Sequence, residues 1–312
     1  MKIDNKFILI IIGFIGLYAI FVISSDISEV YEKIIEIKLE YLVLIFILLP
    51  ISWFVLFTKW HLLLRNSDIE ISLKESLKIY FSSCALLVIP GKVGELIKIQ
   101  ILKTRCNVPR TKSAPIIITE QLYNLVGIVA VSIAGLLVFD YSTIIIGVSA
   151  VFLAFIFLIL YSKNFFQKVV KIFGKIKFIS KFSDSLLESH DVIRNSIRGR
   201  ILFYASALST IFWLLEASIV YIILLSLGIN HLEILTVVTS YTSSILLGVA
   251  SLLPMGIGVV EGSLTGFLSL HGVDISIGLT IVVIIRIFTR WIVVGIGFIA
   301  LKMTGFLSLK DS

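Results

Sequence analysis

The chain has 312 residues, of which 58% are hydrophobic and only 15% charged, with 27 Lys and Arg against 20 Asp and Glu and a formal net charge of +7. Ordinary soluble domains are about 45 to 50% apolar even when glycine is counted, so these proportions exclude a soluble enzyme and identify an integral membrane protein. The longest polar stretch, residues 162 to 200, is too short to fold alone without disulfides or a metal.

Apolar runs cover residues 7–23, 41–58, 116–138, 142–161, 201–225 and 277–300. Each is near the roughly 20 residues that cross a hydrocarbon core of about 30 Å, which predicts six crossings. Lys2 and Lys6 precede the first run as they would in a signal peptide, but Val22-Ile23-Ser24-Ser25 is a poor cleavage site, so the segment is expected to be retained. After it, Ile27, Val30, Tyr31, Ile34 and Ile35 repeat at helical spacing, predicting an amphipathic helix on the outer surface or a packed linker helix.

Two other apolar regions are broken by Pro and Gly. The first runs Ala85 to Pro90 and on through Gly91 and Gly94; the second runs Ser251 to Pro254 and on through Gly256, Gly258 and Gly262. Both read as re-entrant helical hairpins, over 79–103 and 234–270, with Pro90, Gly91, Gly94, Pro254, Gly256 and Gly258 as hinges. Their backbone must be buried or line a cavity, because lipid cannot hydrogen-bond it. Gly258, Gly262 and Gly266 also form a spaced small-residue ridge, expected to let helices approach closely.

Charge tests this layout. With each hairpin returning to its own side, the cytoplasmic segments hold 23 Lys and Arg and the outer ones two, Lys33 and Lys38; the remaining two, Arg286 and Arg290, lie inside a span. Both termini are then cytoplasmic in a multi-pass cell-membrane protein. Residues 41–161 and 201–303 form two halves whose hairpins dip from opposite sides, an inverted repeat of the kind many transporters use. Between them, 162–200 is a basic cytoplasmic connector suited to the anionic inner leaflet. The fold class expected is an all-α polytopic membrane protein forming one integral domain over residues 1–312.

The run Ser72-Leu73-Lys74-Glu75, Tyr80-Phe81, Pro90-Gly91-Lys92-Val93-Gly94-Glu95 and Lys98 resembles the flippase-like family named for the transmembrane region of lysylphosphatidylglycerol synthase. Pro254-Met255-Gly256-Ile257-Gly258 with Glu261-Gly262 looks like its second signature, and Arg286 with Thr289 and Trp291 like its last-span pattern. The resemblance extends from about residue 40 to 305. Glu120 sits where the family commonly has Glu-Arg followed by Asp, but Gln121 and Asn124 stand where the Arg and Asp would fall, so an ion pair made there in relatives is expected to be absent or replaced by amide hydrogen bonds. The resemblance implies a role in moving lipid or lipid-linked head groups.

A charge at the bilayer centre costs about 2.5 to 3.5 kcal/mol on insertion scales, which makes Glu216, Glu261, Arg286 and Arg290 informative. Arg286 and Arg290, four residues apart, project from one helix face and suit a phosphate. Against this stands a purely structural network with Glu216 and Glu261. Gly91-Lys92-Val93-Gly94-Glu95 would open a half-helix whose free N–H groups attract an anion, with Lys92 adding charge. Glu95 and Glu261 are also placed to cap their half-helices, and Glu120 to reach the interface. The candidate substrate-binding residues are therefore Lys92, Glu95, Glu120, Glu216, Glu261, Arg286 and Arg290, expected to converge on one polar cavity near the midplane.

His61, His190, His231 and His271 form no cluster in the sequence, and Cys84 and Cys106 match no disulfide or metal spacing, so neither metal nor cofactor is expected. The functional reading is a non-enzymatic flippase-like transporter of a lipid with an anionic or zwitterionic head group, with no nucleic-acid partner. Its alternatives are an accessory subunit of a lipid-modifying or glycosyl-transferring enzyme and a membrane-embedded head-group transferase. The last lacks any D-x-D, H-E-x-x-H or G-x-S-x-G motif.

Overall fold

The computed structural model describes residues 27–87, 95–133, 142–173, 187, 190–251 and 253–305. Every regular element among them is helical. The first crossing, 7–23, and the hinge residues Pro90, Gly91 and Gly94, together with Lys92, lie outside the described residues.

The expected amphipathic helix is α1 (Ile27–Glu36); it buries Val30, leaves Tyr31 and Ile35 exposed, and packs on the last helix of the chain. Next comes α2 (Leu39–Asn66), which outruns the apolar segment 41–58 because Lys59 is itself buried, with no exposed surface. A pair of short helices follows, α3 (Leu73–Cys84), capped by the Ser72 hydroxyl, and α4 (Ile97–Cys106). Then come α5 (Arg110–Ser132) and α6 (Ser142–Tyr161). The chain bends by 103° after Tyr161 into α7 (Lys163–Phe173). Within the basic connector lies also α8 (His190–Ser196). The second half holds α9 (Gly199–Ser226), α10 (Ile234–Ala250), a turn at Pro254–Gly256, α11 (Val259–Leu270) and a last helix α12 (Ile275–Met303), with one π-helical turn at Ile287–Trp291.

Four helices, α2, α5, α9 and α12, are long and apolar enough to cross a membrane, and the bent pair α6/α7 adds a fifth. At 1.5 Å per residue, α2 and α9 are about 42 Å long. The polarity of the fold is that of a protein built for lipid. Large apolar side chains stand exposed on the outside, among them Phe46 and Phe54 of α2, Phe155 of α6, Phe203 of α9 and Ile299 of α12. Polar ones, including Ser52, Ser209, Glu216, Ser240, Thr242 and Ser244, are buried. Many of the buried hydroxyls bond back to a carbonyl of their own helix, as Ser52 does to Leu49 and Thr242 to Val238, each at 2.8 Å.

Close packing rests on particular glycines, though not the expected ridge. A Cβ on Gly262 or Gly266 would meet nothing within 4 Å, whereas one on Gly127 would sit 2.6 Å from the Ser209 carbonyl carbon and one on Gly297 2.2 Å from the Ala85 nitrogen. Those two contacts bring α5 against α9 and the tip of α3 against α12.

Both broken regions form antiparallel helical hairpins. In the first, Glu75 of α3 meets Arg105 of α4 at 2.5 Å near the open end, and Lys98 lies over the Tyr80 ring closer to the tip. This hairpin begins at Leu73, one and a half turns before the expected residue 79. In the second, His231 Nε2 is 3.1 Å from the His271 carbonyl at the open end, while Gly248, Gly256 and Val260 crowd together at the tip. Gly256 and Gly258 adopt φ of +67° and +83°, which L side chains rarely accept, so the turn depends on glycine there.

The last helix fixes how the hairpins face each other. Along α12, Gly278 packs on Thr265 of α11, Arg286 bonds the Met255 carbonyl at the second hairpin's tip, Gly297 touches Cys84 and Ala85 at the first hairpin's tip, and Thr304 accepts from Arg105 at that hairpin's open end. The two hairpins therefore contact separate stretches of α12, and their tips lie on either side of its middle, at Arg286 and at Gly297.

Candidate functional site

Between those tips lies a cavity of about 310 Å³. Its wall is largely apolar and aromatic, with Trp53, Tyr80, Leu87, Phe212, Trp213, Ile245 and Met255. Its charged lining is Glu95 from the first hairpin, Glu216 from α9, and Arg286 and Arg290 from α12.

Arg286 is buried and has two partners on the second hairpin: its Nε donates to Glu261 Oε1 at 2.8 Å and its Nη2 to the Met255 carbonyl at 2.9 Å. The other Glu261 oxygen accepts from the Gly258 N–H at 2.7 Å. One carboxylate thus caps α11 and holds the guanidinium, combining the two roles the sequence left as alternatives. Arg290 turns to α9 and forms a two-point fork on Glu216, Nη1 to Oε1 at 3.0 Å and Nη2 to Oε2 at 2.8 Å. Tyr241 of α10 completes this group, its hydroxyl donating to Glu216 at 2.8 Å and accepting from Arg290 at 3.2 Å. The π turn lies across these residues, an extra-wide turn of the kind that often marks functional positions in helices.

On the first hairpin the chemistry differs. The buried Lys98 ammonium is 2.6 Å from Glu95 and donates to both oxygens of Glu120 on α5 at 3.0 Å. It also lies 4.6 Å from the centre of the Trp60 ring and 4.9 Å from that of Tyr80. Glu120 therefore does not reach the interface; it is 3% exposed and tied inward. One seam away, Lys59 bonds Asn124 of α5 and Ser209 of α9, and Asn124 donates to Gln121 at 3.4 Å. Amide hydrogen bonds occupy these two positions, as expected from the residues present.

Of the candidate residues, Glu95, Glu216, Arg286 and Arg290 share the cavity wall, Glu261 stands one bond behind Arg286, and Glu120 stands behind Glu95 through Lys98. Arg286 and Arg290 do share a helix face, but each is already matched to a carboxylate, so the pair is not an open phosphate fork; it also ties α12 to α11 and to α9. Sequence reasoning missed Lys59, Lys98, Tyr80, Trp60 and Tyr241. For Lys98 a signal existed in its spacing three residues after Glu95; for the others, contacts between distant segments decide.

These features define a polytopic helical membrane protein with a charged cavity among its helices. The sequence pattern of the lysylphosphatidylglycerol synthase TM region matches residues 8–297, and the chain belongs to that family. Among its relatives, a UPF0104 membrane protein of Pyrococcus horikoshii is 26% identical over 92% of this chain and 94% of its own length. Another UPF0104 membrane protein, from Methanocaldococcus jannaschii, is 27% identical over 67% of this chain and 89% of its own.

Proposed function

We propose that the protein is a flippase-like transporter whose cavity takes the head group of a lipid, or of a lipid-linked intermediate, on its way between leaflets. In this reading the chain crosses the cell membrane six times with both termini in the cytoplasm. The hairpin α3/α4 is re-entrant from the cytoplasmic side and α10/α11 from outside, so that residues 41–161 and 201–303 act as an inverted repeat around the cavity. Residues 162–200 lie along the inner leaflet. Lys92, on the segment joining α3 to α4, takes part in receiving the head group.

The observation that carries the reading is a cavity between two hairpin tips, walled by Glu95, Glu216, Arg286 and Arg290. A head group near the midplane of bare lipid would lose its hydration with nothing in return. Here fixed charges already stand in ion pairs, ready to exchange part of those contacts with a polar ligand. Tips seated on separate stretches of α12 also provide two separate barriers, one toward each leaflet, as alternating access requires.

The test is reconstitution of the purified chain into liposomes that contain phospholipids labelled on an acyl chain, with chemical quenching of the outer leaflet. The expected result is loss of the protected inner pool much faster than in protein-free vesicles. No acceleration for anionic or zwitterionic lipids by folded protein would overturn the reading, and a lipid-modifying enzyme that copurified with such inactive protein would mark an accessory subunit instead.

A further inference from the structure

The environment of Lys98 is an ammonium-binding cage with the chain's own side chain as its occupant. Two aromatic rings, Trp60 and Tyr80, and two carboxylates, Glu95 and Glu120, surround the Nζ atom, which is buried with its side chain 1% exposed. Aromatic faces and carboxylates are the general means by which proteins recognise alkylammonium groups. A lysine needed only as a helix tie has no use for so complete an enclosure. The walls come from separate elements: Trp60 from α2, Tyr80 from α3, Glu120 from α5, and Glu95 from the start of the hairpin's return arm, three residues before Lys98. Two of these walls, Tyr80 and Glu95, also line the cavity. A ligand in the cavity therefore touches the cage from its open side, while Arg286 and Arg290 border the same cavity.

We propose that the Glu95 and Tyr80 wall is the subsite for the primary ammonium of a lipid head group, and that Lys98 fills this subsite when no head group is present. The inference rests on the transport reading above. As the head group's ammonium enters, the Lys98 side chain moves off Glu95 and stays on Glu120, so each carboxylate keeps a positive partner and no bare acid is left in a low-dielectric interior. The phosphate of the same head group faces Arg286 and Arg290. Glu95 selects a primary amine, because the place 2.6 Å from its carboxylate that the Lys98 ammonium now takes calls for an N–H donor, and a trimethylated nitrogen has no hydrogens to supply.

The experiment follows thermal unfolding of the purified full chain during titration with glycerophosphoethanolamine or glycerophosphoglycerol, on wild type, Lys98→Met and Glu95→Gln. Removing the competing amine should tighten glycerophosphoethanolamine binding to Lys98→Met on the order of tenfold, the equivalent of about 1.4 kcal/mol, and leave glycerophosphoglycerol unchanged. Wild type should prefer the ethanolamine compound, and Glu95→Gln should lose that preference. Equal tightening for both probes in Lys98→Met, no tightening for either, or an intact preference in Glu95→Gln overturns the proposal; if Lys98→Met does not fold, Glu95→Gln decides alone. Vesicle exchange separates the two readings. Equal rates for phosphatidylethanolamine and phosphatidylglycerol sink the ammonium subsite and keep transport, whereas selective probe binding without any lipid exchange sinks transport and keeps the subsite.

Discussion

On the α12 side of the cavity each guanidinium has its own carboxylate, Arg286 with Glu261 and Arg290 with Glu216, whereas on the α3/α4 side a single ammonium lies between Glu95 and Glu120. The first arrangement uses planar guanidinium groups that fix direction as well as distance, a two-point fork in Arg290 and a single bond to the carboxylate in Arg286, and each joins α12 to a different helix. The second uses a point charge on a flexible stem, packed against rings that impose little direction. Two regions of similar burial, one with its charges balanced and the other with one carboxylate in excess, therefore differ in what they can do. The guanidinium pairs hold helices in place, and the ammonium cluster can exchange partners without a change of geometry at the tips.

Breaking a guanidinium pair should have the largest effect. Arg286→Gln leaves Glu261, which has no exposed surface, without its cation, and removal of one partner from a buried pair costs about 3 to 5 kcal/mol. The variant should show a strongly lowered unfolding temperature, and the double variant Arg286→Gln with Glu261→Gln should regain most of it. A single variant as stable as wild type would erase the distinction between the two regions.

Next comes the contact that seats the first hairpin on α12. Gly297→Ala places a Cβ 2.2 Å from the Ala85 nitrogen, a backbone atom that cannot rotate away; overpacking of this kind costs about 1 to 3 kcal/mol. Gly262→Ala is its control, since nothing lies within 4 Å there and a helical alanine should stabilise by about 0.4 to 1 kcal/mol. Thermal unfolding of the two variants side by side checks the sign in each case.

Smaller still is Tyr241→Phe, which removes the hydroxyl shared by Glu216 and Arg290 but leaves their two-point fork intact. A loss of about 1.5 kcal/mol is expected, the low end for a hydrogen bond to a charged group because the fork still satisfies the carboxylate. If the loss matches that of Arg286→Gln, the fork is not what holds α9 to α12. The weakest effect belongs to Glu75→Gln at the open end of the first hairpin, where the partly exposed pair with Arg105 is worth about 0 to 1 kcal/mol; denaturant titration should barely separate it from wild type.

Helical spans over 41–58, 142–161, 201–225 and 277–300 were legible in the chain because the length of an apolar run is a local property that matches the thickness of hydrocarbon. The breaks at 251–258 were legible because Pro and Gly act on their own backbone. Where a charge interrupts a run, local reading fails. Lys59 looks like the end of its helix, yet Asn124 and Ser209, from segments far along the chain, satisfy its ammonium and let α2 continue to Asn66.

The sequence by itself determined which residues are charged within apolar surroundings and that Arg286 and Arg290 share a face, since helical spacing settles both. Tertiary structure alone decided what those charges meet: that each guanidinium has a carboxylate, that Lys98 rather than Glu120 alone occupies the first hairpin's interior, and that Gly127 and Gly297 rather than the spaced glycines of α11 carry the close contacts. The reason is that spacing along one helix specifies a direction only, while an ion pair, an aromatic cage or a backbone contact needs a second surface, and here that surface lies mostly between 18 and 213 residues away in the chain.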